Sequence, residues 1–452
     1  MVQMHQESID RIRRDLSDLN VPSYAIPKSF EPVAFDLDLF GNQSLFQLLA
    51  ITRTPFGSKT LGDWICAGAS ESEIEARQIA VAELSNQQTW RQGFRLRCEQ
   101  LAASQAGPSR FVEWAESGNW IDQRQWLLWL CRVTAVTSIA SIAALLFGIL
   151  PLTVAGPTLL VTIGLNFFIS VFFAGSIHDI FNQISSRQDE VRHYETIFKE
   201  VIKFKTESPF LKTIQSELAG DSEDVLSDMR SLAFKNWLAN IRRDGMLFIP
   251  YLICEFLFMW DIHILRLLEN WKGRHGAKAR QWFNALGRFE AIMALSKLAH
   301  DNPDWQFPEI TGAASGSVVD CEGLGHPLMD NSRVTNDVRV GPQGTVLLVS
   351  GSNMSGKSTL LRSLGVNSVL AQMGSKVCAE KMSLPLVRIE SSMRIVDSLA
   401  TGTSFFMAEL KRLKEIVDQA AKFKDDSDLQ LMFLLDEILQ GTNSRERQIA
   451  VA

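Results

Sequence analysis

The sequence has no cysteine pairs and no excess of positive charge. Its 452 residues contain six scattered cysteines without a C-x-x-C pair, which disfavours a zinc site or a disulfide framework and is typical of a reducing compartment. Lysine and arginine total 45 against 51 aspartates and glutamates. Composition therefore gives no argument for nucleic-acid binding, although a local basic face stays open.

A cleavable signal peptide is also not apparent at the start of the chain. The first 18 residues are polar and charged, and they predict a short amphipathic helix. We expect residues 1–34 to form a lead-in with a proline-bounded loop at 22–32. Residues 35–120 then show helical periodicity and predict an all-α core.

Charge disappears completely from two long segments in the middle of the chain. Residues 133–150 and 158–174 are uncharged, and a proline- and glycine-containing turn at 151–157 joins them. Each segment would reach about 26 Å as a helix, close to the hydrocarbon thickness of a bilayer. The sequence therefore predicts a transmembrane helical hairpin over 126–177, with a pair of buried core helices as the alternative.

The charges that flank this hairpin predict its orientation. Arg124 and Arg132 precede it, Arg187 and Arg192 follow it, and the connecting loop contains no lysine or arginine. The positive-inside rule places both ends in the cytoplasm. We expect a membrane protein with two spanning helices and both soluble parts on the cytoplasmic side.

A third apolar run, at residues 246–260, is short and contains Glu255. Fifteen residues with a carboxylate make a marginal span, so we expect a core helix or an interfacial segment. The charged helical patterns around it predict connector helices over 178–310.

The strongest chemical signal lies near the C-terminal end. An apolar run at 345–350 predicts a buried parallel strand, and the sequence after it fits G-x-x-x-x-G-K-[ST] at every fixed position before a helical pattern begins. In such a loop backbone amides surround phosphates, Lys357 contacts the β- and γ-phosphates, and Ser358 can bind Mg²⁺. The candidate nucleotide-binding residues are Gly351, Ser352, Asn353, Met354, Ser355, Gly356, Lys357, Ser358 and Thr359.

Two acidic residues complete this candidate site. The apolar run 430–435 predicts a strand that ends at Asp436 and Glu437. We expect Asp436 to bind the metal with Ser358, and Glu437 to orient or deprotonate the attacking water. A structural role as a helix cap is the alternative.

Four motifs in the same order resemble the ATPase of the MutS family of DNA mismatch-repair proteins. They are the loop Gly351-Ser-Asn-Met-Ser-Gly-Lys-Ser-Thr, Leu370-Ala-Gln-Met-Gly-Ser-Lys-Val-Cys-Ala, Asp397-Ser-Leu-Ala-Thr-Gly-Thr-Ser404-Phe-Phe-Met-Ala-Glu409, and Asp436-Glu-Ile-Leu-Gln-Gly-Thr. The resemblance implies that ATP and Mg²⁺ are bound between two subunits, with Ser404 of one subunit facing the phosphates on Lys357 of the other.

The upstream sequence is also similar to this family. Arg53-Thr-Pro-Phe-Gly resembles the start of the family's core domain, and Gly325-His326-Pro327 resembles the approach to its first ATPase strands. The resemblance implies an α/β P-loop NTPase domain of the ABC/MutS type over 311–452, following an all-α MutS-like core and lever domain that the hairpin interrupts.

Several departures from the family pattern bear on function. Only about 34 residues precede the core, so we expect the family's mismatch-reading domain to be missing. The F-x-E at Phe111–Glu113 lies inside the helical core, where we interpret it as coincidence. The apolar hairpin stands where the family inserts a DNA-gripping clamp. Arg333 stands near the family's adenine-stacking aromatic and either stacks on the base or is solvated.

The last residues, 445–452, form an unfinished helical pattern. We therefore expect the strand with the family's switch histidine, and the dimerisation region after it, to lie outside this sequence.

These observations leave three functional hypotheses. The first is a membrane-anchored MutS-like ATPase, a homodimer through its ATPase domain, that drives lever motion, with DNA structures as one candidate ligand. The second is a nucleotide-gated membrane tether or scaffold for a protein partner. The third, an ABC-transporter-like ATPase, is disfavoured because two spans are too few for a pathway and no L-S-G-G-Q signature is present.

Overall fold

The structure of the chain is a computed structural model. It describes residues 2–19, 23–102, 107–184, 190–220, 225–312, 318–352, 355–394, 405–422 and 429–437. Helices dominate this part of the chain up to residue 301, and all six of its strands follow.

The N-terminal third folds as a set of packed helices. These are α1 (Val2–Arg13), α2 (Glu31–Asp36), α3 (Leu45–Leu49), α4 (Pro55–Cys66), α5 (Glu71–Ser85), α6 (Gln88–Ala102) and α7 (Gly107–Glu116). Helices are thus present where the sequence predicted an N-terminal helix and helical periodicity, and the division at residues 34 and 120 stays a prediction. Phe111 is buried in α7 against Trp114, Tyr194 and Phe283, so the F-x-E sequence belongs to the core.

Two long apolar helices follow, α8 (Gln125–Leu146) and α9 (Leu152–Ile184), and both are long and apolar enough to cross a membrane. The predicted turn at 151–157 is wrong in its bounds, because the helices are joined by residues 147–151 and α9 continues through Pro157. That proline is the sixth residue of α9, and it removes one backbone hydrogen bond without ending the helix.

Polarity in this hairpin is reversed relative to a water-soluble bundle. Small polar residues face inward between the helices, where the Ser138 hydroxyl donates to the Thr162 hydroxyl at 3.4 Å and Asn166 is fully buried. Aliphatic and aromatic residues such as Val136 and Phe168 face outward. The alternative of two buried core helices is wrong, since core helices would bury those side chains.

The connector region contains α10 (Glu190–Lys203), α11 (Pro209–Ala219), α12 (Val225–Asn240), α13 (Phe248–Phe258) and α14 (Trp260–Asp301). The 42 residues of α14 give it a length of about 63 Å, and α4, α5, α7, α11 and α12 all pack against it. The helices predicted for 178–310 are thus present, and their role as connectors stays a prediction.

Of the two expectations for 246–260, the core helix is wrong and the interfacial segment stays a prediction. Phe248, Ile249 and Ile253 of α13 are exposed, its leucines and other aromatic residues are half-buried, and Glu255 is its only buried residue. A bend of 86° at Met259 separates α13 from α14. The cause is a left-handed backbone conformation at Met259, with φ at 51°.

The strands follow α14 and form two sheets among the described residues. They are β1 (Glu309–Thr311), β2 (Val319–Leu324), β3 (Asn336–Val340), β4 (Lys381–Pro385), β5 (Val387–Ser392) and β6 (Gln430–Leu435), with α15 (Lys357–Gln372) and α16 (Phe405–Lys422) between them. The first sheet has the order β1-β4-β2-β3, and β5 pairs with β6 in parallel. The predicted strand at 430–435 is confirmed.

The buried strand expected at 345–350 is not formed. This segment has no regular secondary structure and is mostly exposed, with Leu348 at 87% exposure, and no ladder joins it to a described strand. A cavity of about 330 Å³ lies between it and β6. A strand needs a hydrogen-bonding neighbour, and the described residues supply none at this edge.

One buried carboxylate fastens α14 to the start of α4. Glu290 accepts hydrogen bonds from the backbone N–H groups of Arg53 (2.9 Å) and Thr54 (3.3 Å) and from the Thr54 hydroxyl. These donors sit at the N-terminus of α4, where an acceptor stabilises the helix. Burial outweighs the hydrogen bonds and raises the pKa of Glu290 to about 7.

This raised pKa predicts a pH-dependent stability. Between pH about 4.5 and about 7 the folded protein keeps a proton on Glu290 that the unfolded chain has released, so stability falls as pH rises through this window. We expect wild type to lose thermal stability relative to Glu290→Gln over that range, measured by thermal unfolding in detergent. Glu75→Gln, at an exposed position of α5, is the control. A wild-type-to-Glu290→Gln difference that is constant with pH would contradict this account.

Candidate functional site

The glycine-rich loop at 351–358 leads directly into α15. Lys357, the first residue of the helix, donates from Nζ to the carbonyl oxygens of Gly351 (2.9 Å) and Ser352 (2.7 Å). Gly356 before it has φ at 88°, a left-handed conformation that a side chain disfavours. The ammonium group is therefore held over the loop by the loop's own backbone.

The N-terminus of α15 presents amide groups to this loop. The N-cap residue is Gly356, and no side chain within the described part of the chain caps the helix. Ser358 and Thr359 lie in the first turn. Uncapped N–H groups at the positive end of a 16-residue helix form a site suited to an anion such as phosphate.

The helix α15 lies against β6, the strand that ends at the acidic pair. A Cβ on Gly365 would come within 2.8 Å of methyl carbons of Leu37 and Leu434, so a larger residue at this position would have to displace these side chains. Asp436 directly follows β6, and its N–H donates to the Ser392 carbonyl at 3.0 Å. Glu437 is exposed with φ at 49°. The fold thus brings the helix of the loop beside the strand that carries both acids.

Sequence reasoning missed the acidic residues that join the helical core to this site. Asp36 at the end of α2 accepts the Ser391 hydroxyl (2.7 Å) and the N–H groups of Met393 and Arg394 at the end of β5. Asp38 pairs with Arg394 at 2.6 Å. In the sequence, the only feature that could have indicated these contacts is the alternation of acidic and apolar residues in the segment 35–39.

Asp38 also reaches the loop helix, because Arg362 of α15 lies 3.8 Å from its carboxylate. Burial and the neighbouring Arg394 lower the pKa of Arg362, while carboxylates that include Asp38 and Asp436 oppose the shift. Arg362 therefore connects the helical core, the loop helix and the strand end of Asp436 electrostatically.

Arg333 belongs neither to the glycine-rich loop nor to the acidic strand end, but to the segment between β2 and β3. Its guanidinium lies 5.9 Å from the ring centroid of Trp305 and donates to the carbonyl of Asp330 (3.1 Å) and to Asn331 (3.2 Å). These contacts supply a structural role for Arg333, and adenine stacking stays a prediction. His326 is buried nearby in the sequence, and burial lowers its pKa to about 4.

Several predicted residues lie outside the described part of the chain. Among them are Asn353 and Met354 of the loop, Ser404 of the partner-facing motif, and the Gly-Thr pair at 441–442. Arg187, beyond the hairpin, is also outside it.

Comparison with known proteins assigns this region. Residues 347–452, which begin just before the loop and extend past the acidic pair, match the family model described as MutS domain V. Residues 347–452 of this chain therefore belong to the MutS family.

The curated relatives are MutS proteins of bacteria and archaea. The DNA mismatch repair protein MutS of Synechococcus sp. (strain JA-2-3B'a(2-13)) is 42% identical over 183 residues, which is 39% of this chain and 20% of the relative. The MutS of Sorangium cellulosum (strain So ce56) is 35% identical over 185 residues, or 39% and 18%. MutS 1 of Halobacterium salinarum (strain ATCC 29341 / DSM 671 / R1) is 34% identical over 173 residues, or 38% and 19%. The match to MutS thus spans about a fifth of the length of these relatives.

For this MutS-like chain we expect Lys357→Ala to weaken ATP binding roughly 10- to 100-fold, because the substitution removes one charge-assisted hydrogen-bonding group. Titration with a fluorescent ATP analogue measures the affinity. Lys381→Ala is the matched control, because Lys381 is an exposed lysine on β4 with only a 3.7 Å ion pair to Glu322. Equal affinities for wild type and Lys357→Ala would show that the loop is not the nucleotide site.

Proposed function

We propose that the chain is a membrane-anchored MutS-like ATPase that binds ATP and Mg²⁺ at a P-loop and uses them to move its connector helices. The observation that carries this proposal is the glycine-rich loop at the uncapped start of α15, with α15 packed on the strand that ends at Asp436. A loop, a helix and an acidic strand end in this order are the parts of a P-loop NTPase.

The donor set fits a magnesium nucleotide. The hydroxyl of Ser358 and the carboxylate of Asp436 are hard oxygen ligands of the kind Mg²⁺ prefers, and Mg²⁺ keeps its remaining positions for water and phosphate. When bound, the metal would neutralise charge on the phosphates. Gly351, Ser352, Asn353, Met354, Ser355 and Thr359 would supply the rest of the loop around them.

Lys357, Glu437 and Ser404 would then have separate roles in hydrolysis. Lys357 would exchange its loop carbonyls for phosphate oxygens, which need its charge more. Glu437, exposed at the end of β6, would orient a water and accept its proton. Ser404 of a second subunit would close the site across a homodimer, as in the motif that it resembles.

The membrane anchor is the hairpin α8–α9. Its support is the reversed polarity, with Ser138, Thr162 and Asn166 inside and aliphatic and aromatic side chains outside. Trp126 and Trp129 are exposed near the start of α8, and Arg132 lies 5.5 Å from the Trp129 ring centroid, as at a membrane interface. The ATPase domain would lie on the cytoplasmic side.

The ligand on which the connector helices act is proposed as a DNA structure, on the strength of the relatives' names. The formal net charge of −6 gives this ligand no electrostatic support, which keeps a protein partner as the alternative. Under that alternative the chain is a nucleotide-gated membrane tether.

ATP hydrolysis by the full-length protein in detergent tests the function. We expect turnover that rises with one of three DNA forms, matched duplex, mismatched duplex or branched DNA, and that Glu437→Ala abolishes. If turnover depends on Glu437 but does not change with any of the DNA forms, the hypothesis of a DNA ligand is wrong and a protein or lipid partner is favoured. Turnover that persists in Glu437→Ala would count against the proposed catalytic role.

The topology of the anchor has a separate test. In a chain with the two partly exposed cysteines Cys66 and Cys254 replaced by alanine, Ile79→Cys on α5 and Ile149→Cys in the hairpin loop form a matched pair with 51% and 72% exposed parent side chains. In sealed vesicles with the cytoplasmic side outward, an impermeant maleimide should label Ile79→Cys at once and Ile149→Cys only after detergent. Immediate labelling of both would show that the hairpin does not cross.

A further inference from the structure

The short helix α13 has the same reversed polarity as the hairpin. Its one buried residue is the carboxylate-bearing Glu255, whereas Ile249 and Ile253 are 63% and 54% exposed. In water a helix gains free energy by the opposite arrangement, with apolar groups inside. A helix that hides its polar group and exposes its apolar ones is suited to lipid on its outer face.

Contacts with α9 give the direction of α13. Before the helix begins, Arg243 donates to Asn182 near the end of α9 at 2.6 Å. At its other end, Asn166 donates from Nδ2 to the carbonyl of Phe256 at 2.8 Å. The helix α13 therefore runs antiparallel to α9, and its C-terminal end points towards the hairpin loop.

The depth of that end follows from the length of α9. Asn166 lies 14 residues after Leu152 (166 − 152), or about 21 Å from the loop end of the hairpin. In a hydrocarbon core of about 30 Å this puts the end of α13 about 9 Å inside the near boundary. Amphipathic interfacial helices insert to a similar depth of about 5–10 Å.

The bend at Met259 is compatible with this depth because its backbone groups have partners. A broken helix exposes carbonyl and N–H groups that lipid cannot satisfy. Asn166 binds the Phe256 carbonyl, and the Glu255 carboxylate accepts the Asp261 N–H at 2.9 Å, capping the first turn of α14. The hydroxyl of Ser170 on α9 donates to the same carboxylate.

The residues before α13 suit a headgroup layer. Arg242 and Arg243 form a short 3-10 turn with Ile241, and Arg242 lies over the ring of Phe181 at 5.2 Å. Arg242 is also paired with Asp261 at 3.5 Å, so the exposed Arg243 beside it is the guanidinium group that favours contact with lipid phosphates.

We propose that α13 is a third membrane element, inserted half-way into the leaflet nearest the helical core, with Ile253 in contact with acyl chains and Ile249 at the boundary between acyl chains and headgroups. This inference rests on the membrane hairpin of the proposed function and extends it. Since α14 begins at the bend, lipid packing around α13 sets the position of the long helix that reaches Glu290, 31 residues further on (290 − 259).

Depth-dependent quenching tests the insertion. In the background without Cys66 and Cys254, a fluorophore is attached at Ile253→Cys on α13, at Ile139→Cys on α8 and at Ile79→Cys on α5, three isoleucines with 54%, 55% and 51% exposure. The full-length protein is reconstituted in vesicles of phosphatidylcholine and phosphatidylglycerol that contain brominated phosphatidylcholine. We expect quenching at Ile139→Cys and Ile253→Cys and none at Ile79→Cys, with stronger quenching at Ile253→Cys when bromine lies near the headgroup end of the chain.

The outcomes separate the inference from the function on which it rests. Quenching at Ile139→Cys without quenching at Ile253→Cys would overturn the insertion of α13 and leave the anchored ATPase intact. No quenching at Ile139→Cys would overturn both. Ile249→Cys provides a second probe on the same face, about one turn nearer the headgroups, where we expect quenching only by bromine at the headgroup end of the chain. Loss of folding in one variant therefore does not decide the result.

Discussion

The architecture depends on the buried carboxylate of Glu290. It lies in the middle of the helical body, on the helix against which α4, α5, α7, α11 and α12 pack, and it accepts three hydrogen bonds at the start of α4. A charge at this depth is costly, and the raised pKa of Glu290 expresses that cost. Because α4 also contacts α15, a change of position of α14 cannot leave the loop helix unaffected.

The two ends of α14 lie in different surroundings. At Met259 it emerges from a group of helices whose outer surface is apolar, and towards its other end it meets the core that Asp36 and Asp38 join to β5 and α15. Packed helices transmit displacement as rigid bodies, because close-packed interiors do not deform smoothly. Nucleotide binding at one end and lipid or ligand at the other would therefore bias the same element.

Periodicity and motifs in the sequence sufficed to predict the helical core, the hairpin, the helix after the loop and β6, since each of these has a local pattern. Two predictions failed where the outcome depends on non-local partners. The apolar run at 345–350 is a strand by composition, but a strand forms only beside another. For the run at 246–260 the sequence left a core helix and an interfacial segment open, because sequence cannot tell whether an apolar face meets protein or an apolar solvent, and the core helix is wrong. Asp36 and Asp38 contact Arg394, which is more than 350 positions away in the sequence, and no local sequence pattern predicts such a contact.

The reversed polarity of the hairpin and the balanced composition bear on one question, which is what the connector helices hold. A DNA clamp needs basic residues on the faces that meet phosphate, and its affinity would then fall steeply with salt. Here several arginines of the connector helices form ion pairs within the protein. They are Arg280 with Glu116, Arg288 with Glu217 and Arg230 with Glu195. Such ion pairs leave less charge for a polyanion, so DNA binding by this chain would have to arise from a second subunit, a longer chain or conformations that release these arginines.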